Sequence, residues 1–183
     1  KAGYNFYPDL ENSKSYFVGA TVSPFKSYRY YWQAELINSL QSYDGTTTTK
    51  EAVVQNANGV RQLQRTTTSL ENSNINWEIP VLMRYNINNF IGIGAGLQAN
   101  FNVSEKQEQN LKIETFDGIT DKLLLSTTNE SNVKKESFTN FKTGLLFDLT
   151  AGFARIGPSF GARYVLNFKD NFNYFQLYGI WKF

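Results

Sequence analysis

Apolar and polar residues alternate with a period of two through much of this chain. The pattern is clearest where the even-numbered residues of 154–168 and the odd-numbered residues of 172–183 are mostly apolar. A period of two predicts β-strands, because successive side chains of a strand point to opposite faces. Six further segments show the same alternation, so eight strands are predicted: 2–8, 15–24, 29–42, 76–87, 90–103, 138–153, 154–168 and 172–183.

One of the eight segments has an alternative. Trp32, Leu36, Ile37 and Leu40 also fit the spacing of an amphipathic helix over 32–40. A strand is favoured because Tyr30 extends the two-residue parity backward from Trp32.

The predicted strands are joined by connections of two kinds. Tight turns are predicted at about 25–28, 86–89 and 152–155, whereas the connections 44–75 and 104–137 are long and rich in polar residues. Scattered apolar residues in both long connections predict ordered hairpins. Short turns on one rim and long loops on the other are typical of bacterial outer-membrane barrels.

The polar face of the strands indicates which side is the interior. It combines charged residues with glycines, which suit a crowded interior better than a surface in water. Since eight strands leave room only for side chains, we interpret the charged residues as a paired structural plug. A proton relay or a polar catalytic site is the alternative. The predicted interior cluster is Glu35, Glu78, Arg84, Lys142, Asp148 and Arg163.

The apolar face carries aromatic residues toward the strand ends, as the girdle of a membrane barrel does. We expect Phe183, the terminal aromatic, to act also as an insertion signal. The predicted girdle is Tyr30, Trp32, Trp77, Tyr85, Trp181 and Phe183. The predicted fold is therefore all-β: an eight-stranded antiparallel up-and-down transmembrane β-barrel with two long extracellular loops, forming a single domain over 1–183 in the bacterial outer membrane.

Composition argues against several functions. The chain contains no cysteine and no histidine, so thiolate metal sites, HExxH zinc sites and Ser-His-Asp triads are not expected. The net charge of +2 argues against a nucleic-acid partner. Gly92, Gly94 and Gly96 lie inside a strand and do not form a phosphate-binding loop. We predict no catalytic residues, no cofactor and no metal.

Two sequence features concern export. No stretch approaches the roughly 20 apolar residues of a membrane-spanning helix. No charged and then apolar leader opens the chain at Lys1. We expect either the mature start of an exported protein or a segment whose upstream region is not covered.

Several motifs resemble those of a known family. They are WEIPVLMRYN at 77–86, IGIGAG at 91–96, GARY at 161–164 and WKF at 181–183. They are similar to strands of small outer-membrane barrels from Bacteroidota, the group that includes the PorT-like proteins. The similarity covers most of 15–183 outside the two long loops. It implies the barrel fold and the outer-membrane location, and some members are tied to type IX secretion. It transfers no catalytic residue.

The expected function is that of a non-enzymatic subunit or membrane anchor in a larger outer-membrane assembly, related to secretion or uptake. Expected partners are outer-membrane lipid or lipopolysaccharide and other outer-membrane or surface proteins. Two alternatives remain open. One is a soluble lipocalin-like carrier of a small apolar ligand, and the other is a membrane anchor for an upstream domain.

Overall fold

A computed structural model describes residues 1–23, 29–137, 140–153, 156–169 and 173–183, without the side chains of 130–132. Strands account for most of these residues. They are β1 (Ala2–Phe6), β2 (Lys14–Val22), β3 (Tyr30–Gln55), β4 (Arg61–Asn86), β5 (Ile91–Asp117), β6 (Leu123–Glu136), β7 (Phe141–Gly152), β8 (Gly157–Asn167) and β9 (Tyr174–Lys182).

Eight of the strands form a ring. They pair in the order β1-β2-β3-β4-β5-β7-β8-β9, and β9 pairs back with β1. In this last pair Ala2 lies opposite Gly179 and Phe6 opposite Phe175, in antiparallel register. The predicted all-β class and the ring of eight antiparallel strands are confirmed, but the described chain has a ninth strand, β6, that was not predicted. The segment 32–40 is strand, as the parity favoured.

The strands extend beyond their predicted ends, into the segments predicted as long loops. Most of 44–75 and 104–137 is strand, because β3 continues to Gln55 before β4 begins at Arg61, and β5 continues to Asp117 before β6. Both segments are polar on both strand faces, so no two-residue alternation marks them. They are ordered hairpins, as the scattered apolar residues predicted. The ninth strand, β6, pairs with β5 outside the ring.

Side-chain oxygens stabilise the turns of these hairpins. The Asn56 Oδ1 atom accepts hydrogen bonds from the amides of Asn58 and Val60, both at 2.9 Å. Gly59 has a φ of 76°, which a glycine adopts without strain. In the β5–β6 turn, Asp117 Oδ1 accepts bonds from the amides of Ile119 and Thr120, also at 2.9 Å.

The predicted tight turn at 86–89 is present between β4 and β5. Asn88 Oδ1 accepts hydrogen bonds from the amides of Phe90 and Ile91 at 2.8 and 2.7 Å. Ile87 donates its amide proton to the Ile91 carbonyl at 2.9 Å. The predicted turn at 25–28, and residues 154–155 of the predicted turn at 152–155, lie outside the described residues.

The chain divides into two compact units. The first contains Lys1–Tyr43, Ser73–Glu105 and Glu136–Phe183, and the second contains Asp44–Asn72 and Lys106–Lys135. The second unit is polar and includes an exposed ion pair between Arg65 and Glu51 at 2.8 Å. The Arg65 guanidinium also lies 5.2 Å from the centre of the Phe116 ring.

In the first unit, the buried and exposed faces of the strands follow the two-residue parity. On β7, Phe147 and Leu149 are exposed, whereas Leu146 and Asp148 are buried. Two small apolar clusters lie among the buried polar side chains: Tyr7, Leu82, Leu146, Val165 and Tyr174, and Phe17, Ile37, Tyr178 and Ile180. The described part of the chain contains no helix with the length and apolarity needed to cross a membrane.

Candidate functional site: the buried polar interior

Arg163 is the centre of a buried network of charged groups. It lies on β8 directly opposite Asp148 of β7, and its Nε donates to Asp148 Oδ2 at 2.8 Å. Its Nη1 and Nη2 donate to Glu35 Oε2 and Oε1 of β3 at 2.9 and 2.7 Å. This two-pronged contact is the geometry in which a guanidinium binds a carboxylate most strongly.

Three further side chains join this network. Lys1 Nζ lies 2.8 Å from Glu35 Oε2, and Arg84 Nη2 lies 3.1 Å from Asp148 Oδ1. The Tyr178 hydroxyl donates to Asp148 at 2.7 Å. We refer to Lys1, Glu35, Arg84, Asp148 and Arg163 as the charged cluster.

Each charged group of this cluster has a partner of opposite sign. Burying a charge is costly unless it is paired and hydrogen-bonded, and here three cations surround two carboxylates. The cluster connects strands β3, β4, β7 and β8 through the interior of the ring. Removing Glu35 or Asp148 would leave a buried cation, Lys1 or Arg84 respectively, without its ion-pair partner.

Glu78 is held differently from the charged cluster. Its side chain is fully buried and accepts hydrogen bonds from Ser39 Oγ at 2.8 Å, the Tyr174 hydroxyl at 3.1 Å and Gln98 Nε2 at 3.3 Å. Gln176 Nε2 donates a fourth bond at 3.1 Å. Among the described residues no lysine or arginine forms an ion pair with it. Neutral donors therefore stabilise this carboxylate.

Gln176 links Glu78 to the charged cluster. Its Oε1 accepts a hydrogen bond from Arg163 Nη1 at 3.4 Å, while its Nε2 donates to Glu78. The side chain is fully buried. The sequence indicates that Gln176 faces the interior, but its bridging position depends on how the strands are staggered.

A small polar cavity lies next to the donors of Glu78. Tyr174, which donates to Glu78, lines this cavity. Its volume is about 70 Å³, and Gln41, Tyr43 and Lys142 also line it. Tyr7 and Tyr174 stack in its wall with ring centres 4.8 Å apart. Six asparagines contribute most of the polar lining: Asn74, Asn76, Asn100, Asn102, Asn140 and Asn167. We call this cavity the asparagine chamber.

The six predicted interior residues thus occupy three places. Glu35, Arg84, Asp148 and Arg163 meet in the charged cluster, Glu78 is held by neutral donors, and Lys142 is half-buried in the wall of the asparagine chamber. The sequence reasoning missed the chamber itself. A signal was available, because Asn74 and Asn76 share the parity of Glu78 on β4, as Asn100 and Asn102 share that of Gln98 on β5.

The predicted girdle residues lie on the outer face. Tyr30, Trp32, Trp77, Trp181 and Phe183 are exposed. Tyr85 is half-buried and packs against Tyr30 with ring centres 4.7 Å apart. An outer groove of about 580 Å³ has mainly apolar walls, to which Met83, Ile93 and Phe147 contribute.

The interior offers hydrogen bonds and paired charges. Within the described residues, no group of three or more acidic side chains is arranged to hold a metal ion.

A family model described as a domain of unknown function (DUF7849) matches residues 1–183. Comparisons with curated proteins and with solved structures gave no significant match.

Proposed function

We propose that this chain, which belongs to the DUF7849 family, is a non-enzymatic β-barrel of the bacterial outer membrane that acts as a subunit or membrane anchor of a larger assembly. The distribution of side chains over the ring carries the proposal. Large apolar residues face outward, and charged residues face inward. A protein surrounded by water has the opposite arrangement.

The outer face of the first unit is apolar on strands from both halves of the chain. Val18 of β2 is 62 % exposed, Phe160 of β8 is 74 % exposed and Leu177 of β9 is 61 % exposed. An apolar surface of this kind marks a contact with lipid or with another protein. A ring of paired strands suits lipid, because its backbone groups bond to each other and leave no open sheet edge.

The interior supports a structural role for this barrel. The side chains of the charged cluster, and those of Glu78 and its donors, occupy the interior of the ring. Most of their polar atoms form hydrogen bonds or ion pairs with one another. An eight-stranded barrel with side chains of this size does not leave a conducting pore. We therefore assign the function to the outer face and the hairpins, which contact lipid or lipopolysaccharide and other outer-membrane or surface proteins.

The alternative of a soluble lipocalin-like carrier requires a different interior. A lipocalin-like carrier needs an apolar cavity, whereas the ring interior contains Glu35, Glu78, Arg84, Asp148 and Arg163. We do not propose it. The similarity to PorT-like proteins, and with it a role in secretion or uptake, stays a prediction.

The membrane location can be tested with one outward substitution. Arginine on the lipid face at mid-membrane costs about 2–4 kcal/mol, so Leu149→Arg should lower the folded fraction of protein refolded into vesicles. Heat-modifiable gel migration measures that fraction. Thr128→Arg, at an exposed polar position of β6, is the matched control and should fold as the wild type does. Equal effects of the two substitutions, or wild-type protein that stays in the aqueous supernatant after ultracentrifugation, would contradict the proposal.

The assembly role needs a separate experiment in the native host. Extraction of the tagged chain in mild detergent should recover partner proteins in constant ratio, which mass spectrometry then identifies. An unrelated outer-membrane barrel with the same tag is the control for chance co-extraction. A chain that remains monomeric in every mild detergent would argue against a subunit role while leaving the membrane location intact.

A further inference from the structure

The asparagine chamber is more polar than a space-filling interior requires. Side-chain amides dominate its walls, and each amide carries both donors and an acceptor. Lys142 is the charged side chain among its described lining residues. A wall of this composition matches an occupant with neutral groups that donate and accept hydrogen bonds.

Two of the amides have unmet hydrogen-bonding capacity. Asn102 is 7 % exposed, and its Oδ1 has no hydrogen-bond partner among the described residues. The Oδ1 of Asn74 has none either. Buried polar atoms in folded proteins are almost always hydrogen-bonded, so an exception indicates a bound water or ligand. Asn74 and Asn102 both line the chamber, so an occupant with hydrogen-bond donors can satisfy these atoms.

The size and the access of the chamber limit what can enter. Its volume of about 70 Å³ exceeds the roughly 30 Å³ that one water occupies in the liquid, but is too small for a whole sugar ring. Asn140 of its wall is exposed, so the chamber reaches the surface. It has room for a hydroxymethyl group or for two neighbouring hydroxyls of a larger molecule.

We propose that the asparagine chamber binds the hydroxyl-bearing edge of a sugar. Hydroxyls donate to the unpaired Oδ1 atoms of Asn74 and Asn102 and accept from the amide nitrogens of the wall. An apolar occupant would leave these amides unsatisfied. A sugar can displace water from such a chamber without loss, because its hydroxyls reproduce the hydrogen bonds that water would make. The site goes beyond the proposed function and does not depend on it.

Binding can be measured by saturation-transfer NMR and calorimetry on the refolded chain. The free-saccharide probes are galactose, mannose, N-acetylglucosamine and delipidated lipopolysaccharide core oligosaccharide. Intact lipopolysaccharide is the glycolipid probe. We expect saturable binding of at least one probe. Binding of a free saccharide would show that the sugar suffices, and binding of intact lipopolysaccharide alone would identify a glycolipid headgroup.

Chamber variants locate the binding. Asn100→Leu and Asn102→Leu should each weaken binding about two- to tenfold, the value of one hydrogen bond. Asn140→Ala changes an exposed wall residue and serves as the variant least disruptive to folding. Asn58→Ala, in the exposed β3–β4 turn, is the control and should bind as the wild type does. The proposal is overturned if no probe saturates, which would leave water as the occupant, or if folded chamber variants bind as tightly as the control.

Discussion

Replacing Arg163 by methionine should destabilise the fold far more than the same replacement at Arg65. Arg163 is 1 % exposed and makes three short hydrogen bonds to Glu35 and Asp148. Methionine has a similar reach but no charge, so Arg163→Met leaves two buried carboxylates with fewer cations.

The structure limits the size of this effect. Removing one member of a buried ion pair typically costs about 3–5 kcal/mol. After the substitution Glu35 retains Lys1 at 2.8 Å, and Asp148 retains Arg84 at 3.1 Å and the Tyr178 hydroxyl. The remaining charges balance, so we expect a loss near the lower end, about 3 kcal/mol.

The control pair has the same chemistry in a wet environment. Arg65 lies 2.8 Å from Glu51, but the two side chains are 41 % and 48 % exposed. Exposed pairs contribute about 0–1 kcal/mol, so Arg65→Met should cost no more than that. Urea unfolding of detergent-refolded protein, followed by tryptophan fluorescence, gives both values. If the two variants differ by less than about 1 kcal/mol, the reasoning from burial is wrong.

Two further predictions concern a glycine and a turn. Gly161→Ala places a Cβ against the Tyr178 ring and should lower the free energy of unfolding in urea by about 1–3 kcal/mol. The control, Gly179→Ala, adds a Cβ that meets nothing within 4 Å and should change this free energy by no more than about 0.5 kcal/mol. Equal losses of stability would refute the steric explanation. Hydrogen bonds from the backbone amides of Thr120 and Ile119 lower the pKa of Asp117. Its carboxylate therefore stabilises the β5–β6 turn at neutral pH and loses that effect as the pH falls through the lowered pKa. A carbon-13 NMR titration should place its midpoint below the ordinary value of about 3.9, and a midpoint at or above that value would contradict the turn geometry.

The sequence predicts which face of a strand a residue lies on, but not which residue it contacts across the ring. Alternation assigns Asp148 and Leu149 to opposite faces, and the charged residues and glycines on the face of Asp148 indicated that this face is the interior. It does not give the stagger of strands around the ring. The contact between Glu35 and Arg163 joins positions 128 residues apart in the sequence. Whether two such residues meet depends on the register of every strand pair between them. For the same reason, the sequence could not show that neutral donors hold Glu78.

The hairpins show a different limit of sequence reasoning. Alternation reports a strand only when one face is dry and the other is wet. Thr46 to Thr49 on β3, and 106–117 on β5, are largely polar on both faces, so the strand conformation leaves no periodic signal. Their apolar residues indicated order, but not that β3 and β5 would continue without interruption.

The pairing of β1 with β9 has a consequence for how the chain acquires its fold. The two strands come from opposite ends of the sequence, so synthesis must reach β9 before this seam can form. Until then β1 and β8 each present an unpaired edge, which is a template for association with other chains. Closing so distant a contact is slow, since the loop entropy is lost before the new hydrogen bonds form. The nascent chain therefore needs protection from aggregation for as long as the seam is open.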